Sequence, residues 1–163
     1  MDNKTEEEYV FHRMVHGDLQ YALKLVELSE NQIENEIKYS IQRDALVTYA
    51  RPFYFCHGKY GKYKLTPNPN VSKEHKEILT WRDKIIAHSD IDIRDPQLHC
   101  WTQPNPTFPI VFKGWYSENM PSPSQIKLCC SSHIISVLQY METVEREFKK
   151  ILFKEDSLIA PNS

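Results

Sequence analysis

The sequence predicts a mainly α fold: an antiparallel four-helix bundle with an irregular proline-rich arm, holding a short β-hairpin, between the third and fourth helices. Two observations carry this expectation. Apolar residues recur at spacings of three and four along four segments, each opened by residues suited to cap a helix. Six of the ten prolines lie between Pro96 and Pro123, where a fixed φ and a missing amide hydrogen forbid a regular helix. A chain of 163 residues, 40% of them hydrophobic, can bury one core without disulfides, so a single domain over 1–163 is expected, with the arm at roughly 91–121.

Thr5 and Glu8 have the spacing of a capping box, which places the start of the first helix there. Its apolar stripe is Val10, Met14, Leu19, Leu23 and Val26, ending at Ser29. Ser29 and Gln32 repeat the capping-box spacing, and Ile33, Ile37, Ile41, Ala45 and Thr48 mark the buried face of a second helix running to Pro52. A tight turn between two such helices sets them antiparallel. Periodicity is lost from His57 to Asn70, where Gly58, Gly61, Pro67 and Pro69 punctuate a loop. Ser72 is suited to cap a third helix with Ile78, Trp81 and Ile85 inward, and that helix should end near His88. The alternation of Ile91 and Ile93 with Asp90, Asp92 and Arg94 then suggests a short strand.

Within the arm, "FPIVFKGWY" is the expected hairpin, and Trp101, Phe108, Phe112, Trp115 and Tyr116 supply its rings. Ser122 and Pro123 form a cap and first-turn pair for a long fourth helix. Its seam is Ile126, Cys130, His133 or Ile134, Val137, Met141, Val144, Phe148 and Ile151. Cys56, Cys100, Cys129 and Cys130 show no C-x-x-C spacing and read as reduced thiols, mostly buried. A net charge of −2 argues against an overall basic nucleic-acid binder but leaves room for a local patch. The acidic opening "MDNKTEEEY" has no apolar signal region, and no apolar run approaches the roughly 20 residues that span a bilayer, so a cytoplasmic protein without membrane contact is expected.

Chemistry concentrates in two places. "GKYGKYK" interleaves Lys59, Lys62 and Lys64 with Tyr60 and Tyr63, a mixture in which ammonium groups can meet phosphates while rings stack on bases. The competing reading is a solvated loop whose tyrosines pack on the second helix. "WRDKIIAHSD", ending the third helix, carries Arg82, Asp83, His88, Ser89 and Asp90. A Ser-His-Asp relay is excluded because Ser89, His88 and Asp90 are too close in sequence to converge. A metal on His88, Asp90 and Asp92 would need a strand after His88 and a supporting shell that the neighbouring sequence does not offer, so neither metal nor cofactor is expected.

Arg82 and His88 suit metal-free phosphodiester cleavage. An imidazole exchanges protons near neutral pH, and a guanidinium holds two phosphate oxygens at once. RNA supplies its own nucleophile in the 2′-hydroxyl, so two or three groups suffice. Six residues along a helix leave these side chains roughly 9 Å apart in rise and about 120° apart in rotation. Two copies across a two-fold axis would converge better, which predicts a homodimer. The ordinary alternative is a histidine ending a helix and an arginine on its solvated flank.

The stretch "RDKIIAHSD" resembles the signature of the HEPN superfamily of helical bundles: an arginine, a polar residue and a histidine four to six positions after the arginine, here Arg82, Asp83 and His88. "RDALVTYARPF" is more loosely similar to the second helix of bacterial members, and the resemblance covers about residues 5–90 and the final helix. It implies a homodimer with a shared cleft and metal-independent endoribonuclease activity on RNA, used in toxin and antiphage systems. It equally implies, for other members, a non-catalytic dimerisation or interaction module, or an antitoxin or nucleotidyltransferase partner. Members modified by that partner carry a tyrosine two positions after the histidine, where this chain has Asp90. Asp83 could orient Arg82 or His88, or pair at the surface with Lys84 or Arg82.

Overall fold

The computed structural model describes residues 2–83, 97–99, 110–112 and 120–158, with backbone alone at 97–99, 110–112 and 151–158. Helices dominate: α1 is Asn3–Glu30, α2 Asn35–Ala50, α3 Ser72–Thr80 and α4 Pro123–Leu158.

α1 begins two residues before the expected cap. Asp2 is the N-cap: its carboxylate accepts from the Thr5 amide at 2.8 Å and from the Thr5 hydroxyl at 3.0 Å, so Thr5 serves inside the first turn. The buried face also differs from the expected one. Phe11, Val15, Leu19, Ala22, Val26 and Ser29 face inward, while Val10 and Met14 are exposed and Leu23 is half-buried. Two apolar stripes compete on this helix. The one holding the Phe11 ring removes more apolar area from water and, through Ala22, allows a close approach of the neighbouring helix.

Ser29 does not open α2. Its hydroxyl donates to the Val26 carbonyl at 2.7 Å, which closes α1, and Asn31 is the C-cap. α2 starts at Asn35 with no side-chain cap, and Ile33 and Ile37 lie exposed outside the core. Ile41, half-buried, begins the real seam, followed by Gln42, Ala45, Leu46, Thr48, Tyr49 and Ala50. The expected stripe starts too early because the first turn of α2 still belongs to the connection, beyond the neighbouring side chains.

A 3₁₀ turn, Arg51–Phe53, follows, with Pro52 in its first turn where a missing amide hydrogen costs nothing. Next come two short antiparallel strands in the segment expected as loop: β1, Cys56–His57, and β2, Lys62–Tyr63, paired Cys56 to Tyr63 and His57 to Lys62. A second 3₁₀ turn, Pro69–Val71, runs directly into α3, so Asn68 rather than Ser72 does the capping, its side chain accepting from the Asn70 amide at 3.0 Å. Ile78 and Trp81 are buried as expected, with His75 beside them, and residues 81–83 widen into a π turn. Ile85, the helix end near His88 and the alternation at Ile91 and Ile93 lie outside the described residues.

In the arm, β4 (Ile110–Phe112) pairs antiparallel with β3 (Gln97–His99), while the rest of "FPIVFKGWY" lies outside the described residues. α4 opens as expected: Ser122 and Gln125 cap each other, the Ser122 amide donating to Gln125 Oε1 at 2.7 Å and the Gln125 amide to Ser122 Oγ at 3.3 Å. Its 36 residues span about 54 Å. Ile126, Cys129, Cys130, His133, Val137 and Met141 form its buried face, Ile134 and Val144 are partly covered, and Phe148 emerges into solvent. Cys56, Cys129 and Cys130 are free thiols, the last two buried. Contacts with α1 rise along one helix as they fall along the other: Tyr9 donates to Glu145, His12 stacks on Tyr140 at 3.8 Å, and Lys127 pairs with Glu30. Among the described residues, no helix is long and apolar enough to cross a membrane.

The choice of face on α1 is measurable. Leu19→Ala removes a fully buried side chain and should cost about 2–5 kcal/mol in denaturant unfolding, whereas Met14→Ala should stay within about 0.5 kcal/mol. Equal costs would place Met14 back in the core.

Candidate functional site

The first cluster forms where α3 ends. The Arg82 guanidinium donates through Nη1 to Asp83 Oδ1 at 2.8 Å and lies over the Tyr54 ring, 4.5 Å from its centroid. The Tyr54 hydroxyl donates to the same carboxylate oxygen. Three side chains therefore hold one another at the surface, with Arg82 and Asp83 about one-third and two-fifths exposed. The hydrogen bond it donates to Asp83 raises the Arg82 pKa further, and burial together with Asp83 raises that of the Tyr54 phenol. A pair this exposed adds little stability; its effect is to orient a permanently charged, planar group. His88, Asp90 and Asp92 lie outside the described residues, so the structure brings Arg82 and Asp83 together and adds Tyr54 to them.

Tyr54 is aimed by the core beneath it. Phe53 packs edge-on against His75, with ring centroids 4.4 Å apart, and against His133 at 4.9 Å. The Tyr49 hydroxyl lies 2.8 Å from His75 Nδ1. His133 Nε2 accepts the Asn68 amide hydrogen at 3.0 Å, so its proton sits on Nδ1, which faces the Cys129 carbonyl at 2.6 Å. The Tyr49 hydroxyl and His75 Nδ1 share one hydrogen bond whose direction follows the His75 tautomer. Burial drives the His75 pKa down to about 4, helped by the neighbouring His133, and burial lowers that of His133 as well. The same burial pushes Cys129 up to about 11 and Cys130 up to about 12. At neutral pH the cluster therefore holds uncharged imidazoles and protonated thiols. Among the described residues, no group of three or more His, Cys, Asp or Glu side chains is placed to hold a metal.

The "GKYGKYK" segment forms the β1–β2 hairpin. It rests on α1, where the Glu7 carboxylate accepts from the amides of Lys59 and Tyr60 at 2.6 and 2.8 Å and from the Tyr63 hydroxyl at 2.8 Å. At Gly58 a Cβ would sit 2.4 Å from Glu7 Oε2, so the glycine lets the carboxylate approach this closely. Tyr63 turns inward and stacks on Phe11 at 5.8 Å, while Lys59, Tyr60, Lys62 and Lys64 face outward. Sequence reasoning missed Tyr54, Glu7, His75 and the stack on α1, because each acts through a contact distant in the chain. The aromatic run Phe53, Tyr54, Phe55 after Pro52 was the available signal for the first of them.

The buried histidines generate a pH prediction. Both are held neutral when folded and charge freely once unfolded, with an ordinary pKa near 6.5, so unfolding takes up protons below that value and stability falls with pH. Stability should be full above about pH 6.5 and decline toward the His75 value of about 4, with up to two protons bound per unfolding event near pH 5. Denaturant midpoints measured across this range should show it, with a shallower dependence in His75→Phe; an unchanged slope in that variant would contradict the assignment. No protein-family model, curated protein or solved structure matches this chain, so its function is argued from these residues.

Proposed function

We propose that this chain is a metal-independent endoribonuclease of the HEPN type, acting in a toxin or antiphage setting, with its helices in an antiparallel four-helix bundle and its cleft shared by two copies of the chain. The observation that carries the reading is the oriented guanidinium: Arg82, held by Asp83 and seated on Tyr54, six residues before His88. In this scheme His88 takes the 2′-hydroxyl proton or returns one to the leaving 5′-oxygen. Arg82 stabilises the charge that gathers on the phosphoryl oxygens, and Asp83 fixes its direction. Bond making and bond breaking occur at one phosphorus, leaving a 2′,3′-cyclic phosphate and a free 5′-hydroxyl. A homodimer pools two arginines and two histidines, which answers the poor convergence of a single motif.

One observation favours a second reading, a non-catalytic dimerisation module. Arg82 already has an anionic partner in Asp83, and a paired guanidinium is what a structural contact between subunits would use. An antitoxin or nucleotidyltransferase would be the partner of either form.

The deciding experiment incubates the protein and its His88→Ala and Arg82→Ala variants with labelled single-stranded RNA in excess chelator. Cleavage to cyclic-phosphate ends should fall at least about 100-fold in each variant, the usual contribution of a general acid or base. A well-folded dimer that cleaves no RNA would leave the interaction module, and cleavage that survives both substitutions would overturn the assignment of these residues.

A further inference from the structure

The β1–β2 hairpin has an inner and an outer face, and only the inner one is used by the fold. Tyr63 and Leu65 point inward and are buried, and Leu65 is tied down by its amide hydrogen bond to the Pro52 carbonyl at 2.7 Å. Alternation then turns Lys62 and Lys64 outward. Directly opposed residues share a face, so His57 stands beside Lys62; extending the register by one pair sets Phe55 beside Lys64. The Lys64 ammonium confirms that extension, lying 4.9 Å from the centre of the Phe55 ring. All four outer residues are exposed, Phe55 by 61%. At the tip, the Lys59 ammonium sits 5.2 Å from the Tyr60 ring, also exposed.

We propose that the outer face of this hairpin, built from Phe55, His57, Lys62 and Lys64, is a binding site for single-stranded RNA. The face sets a row of rings, Phe55 and His57, beside a row of cations, Lys62 and Lys64, which lets unstacked bases lie on the rings while ammonium groups meet successive phosphates. Charge complementarity is local. Lys59, Lys62 and Lys64 lie within one short turn, and the nearby carboxylate of Glu7 is engaged from the inner side by three hydrogen-bond donors. Duplexes hide their bases, and one phenyl ring gives too little apolar area to hold a bilayer surface. Phe55 also follows Tyr54, the platform of Arg82, directly in the chain, which links this face to the proposed site of cleavage. That last step rests on the ribonuclease reading; the binding face does not.

The test uses the full chain and a short fluorescent 2′-O-methyl oligoribonucleotide, whose blocked 2′-oxygen allows binding to be read without cleavage. Phe55→Ala should weaken binding about tenfold or more, the effect of losing one stacked base. Lys62→Ala with Lys64→Ala should lower the slope of log affinity against log salt by about 1.4, roughly 0.7 for each phosphate contact on a single strand. Lys24→Ala, on the exposed side of α1, should change neither. Thermal melts of each variant confirm folding, which these exposed positions should leave intact. Wild-type affinity in both hairpin variants overturns the proposal, as does an unbound wild-type protein or a Phe55-dependent attachment to anionic vesicles in place of RNA. Phe55-dependent binding without His88-dependent cleavage keeps the face and removes the ribonuclease. Cleavage that depends on His88 but ignores Phe55 and the lysines does the reverse.

Discussion

The structure depends on a phenol hydroxyl held against a buried imidazole. Tyr49 of α2 is hydrogen-bonded to His75 of α3, and His133 of α4 fills the space beside them while accepting the amide hydrogen of Asn68 from the turn before α3. Asn68 is lashed to α4 a second time through its side chain, which donates to Ser136 Oγ at 3.3 Å and to the Ser132 carbonyl at 3.4 Å. Three helices and a connection therefore meet at one polar cluster inside an apolar core. Each of these hydrogen bonds has its full directional strength because water is excluded. For the same reason, removing one partner leaves a desolvated group behind, at a cost of roughly 1–3 kcal/mol.

That cluster sets the position of the exposed chemistry. Phe53 can lie against both histidines only if the chain leaves α2 through the tight 3₁₀ turn at Pro52, and the next residue outward is Tyr54. On the other side, His75 and Ile78 fix the depth of α3 and with it the place where Trp81 goes in and Arg82 comes out. The contact of Tyr54 with Arg82 and Asp83 is thus a consequence of core packing on two elements that share no local sequence.

This explains which parts were legible in advance. The cap of α4 could be read because Ser122 and Pro123 are neighbours, an oxygen-bearing cap before a first-turn residue that needs no amide hydrogen, and Ile78 and Trp81 because apolar spacing is a local property. The seam of α1 could not. Val10 with Met14 and Phe11 with Val15 are both plausible stripes, and only the neighbouring helices decide between them. Periodicity left His133 and Ile134 both open for the core; His133 is buried because Asn68 and Cys129 satisfy both of its nitrogens, which no periodicity reports. The arginine of the candidate site could be named from sequence, whereas its platform, Tyr54, lies 28 positions away in the chain and becomes its neighbour only through the fold.

The same geometry defines how a phosphate could reach Arg82. A guanidinium offers five donors around its edge and two faces. Among the described residues, Tyr54 covers one face and Asp83 engages Nη1, so a ligand would approach from the opposite face or the remaining edge. A ligand oxygen arriving there meets a cation whose plane is already fixed, so little rotational freedom is lost on binding, while the adjacent carboxylate repels it. The balance favours a brief, directional encounter over tight retention. Such a balance suits a group that must stabilise charge as it develops on a phosphate and then release the product, since binding the ground state equally well would add nothing to the rate.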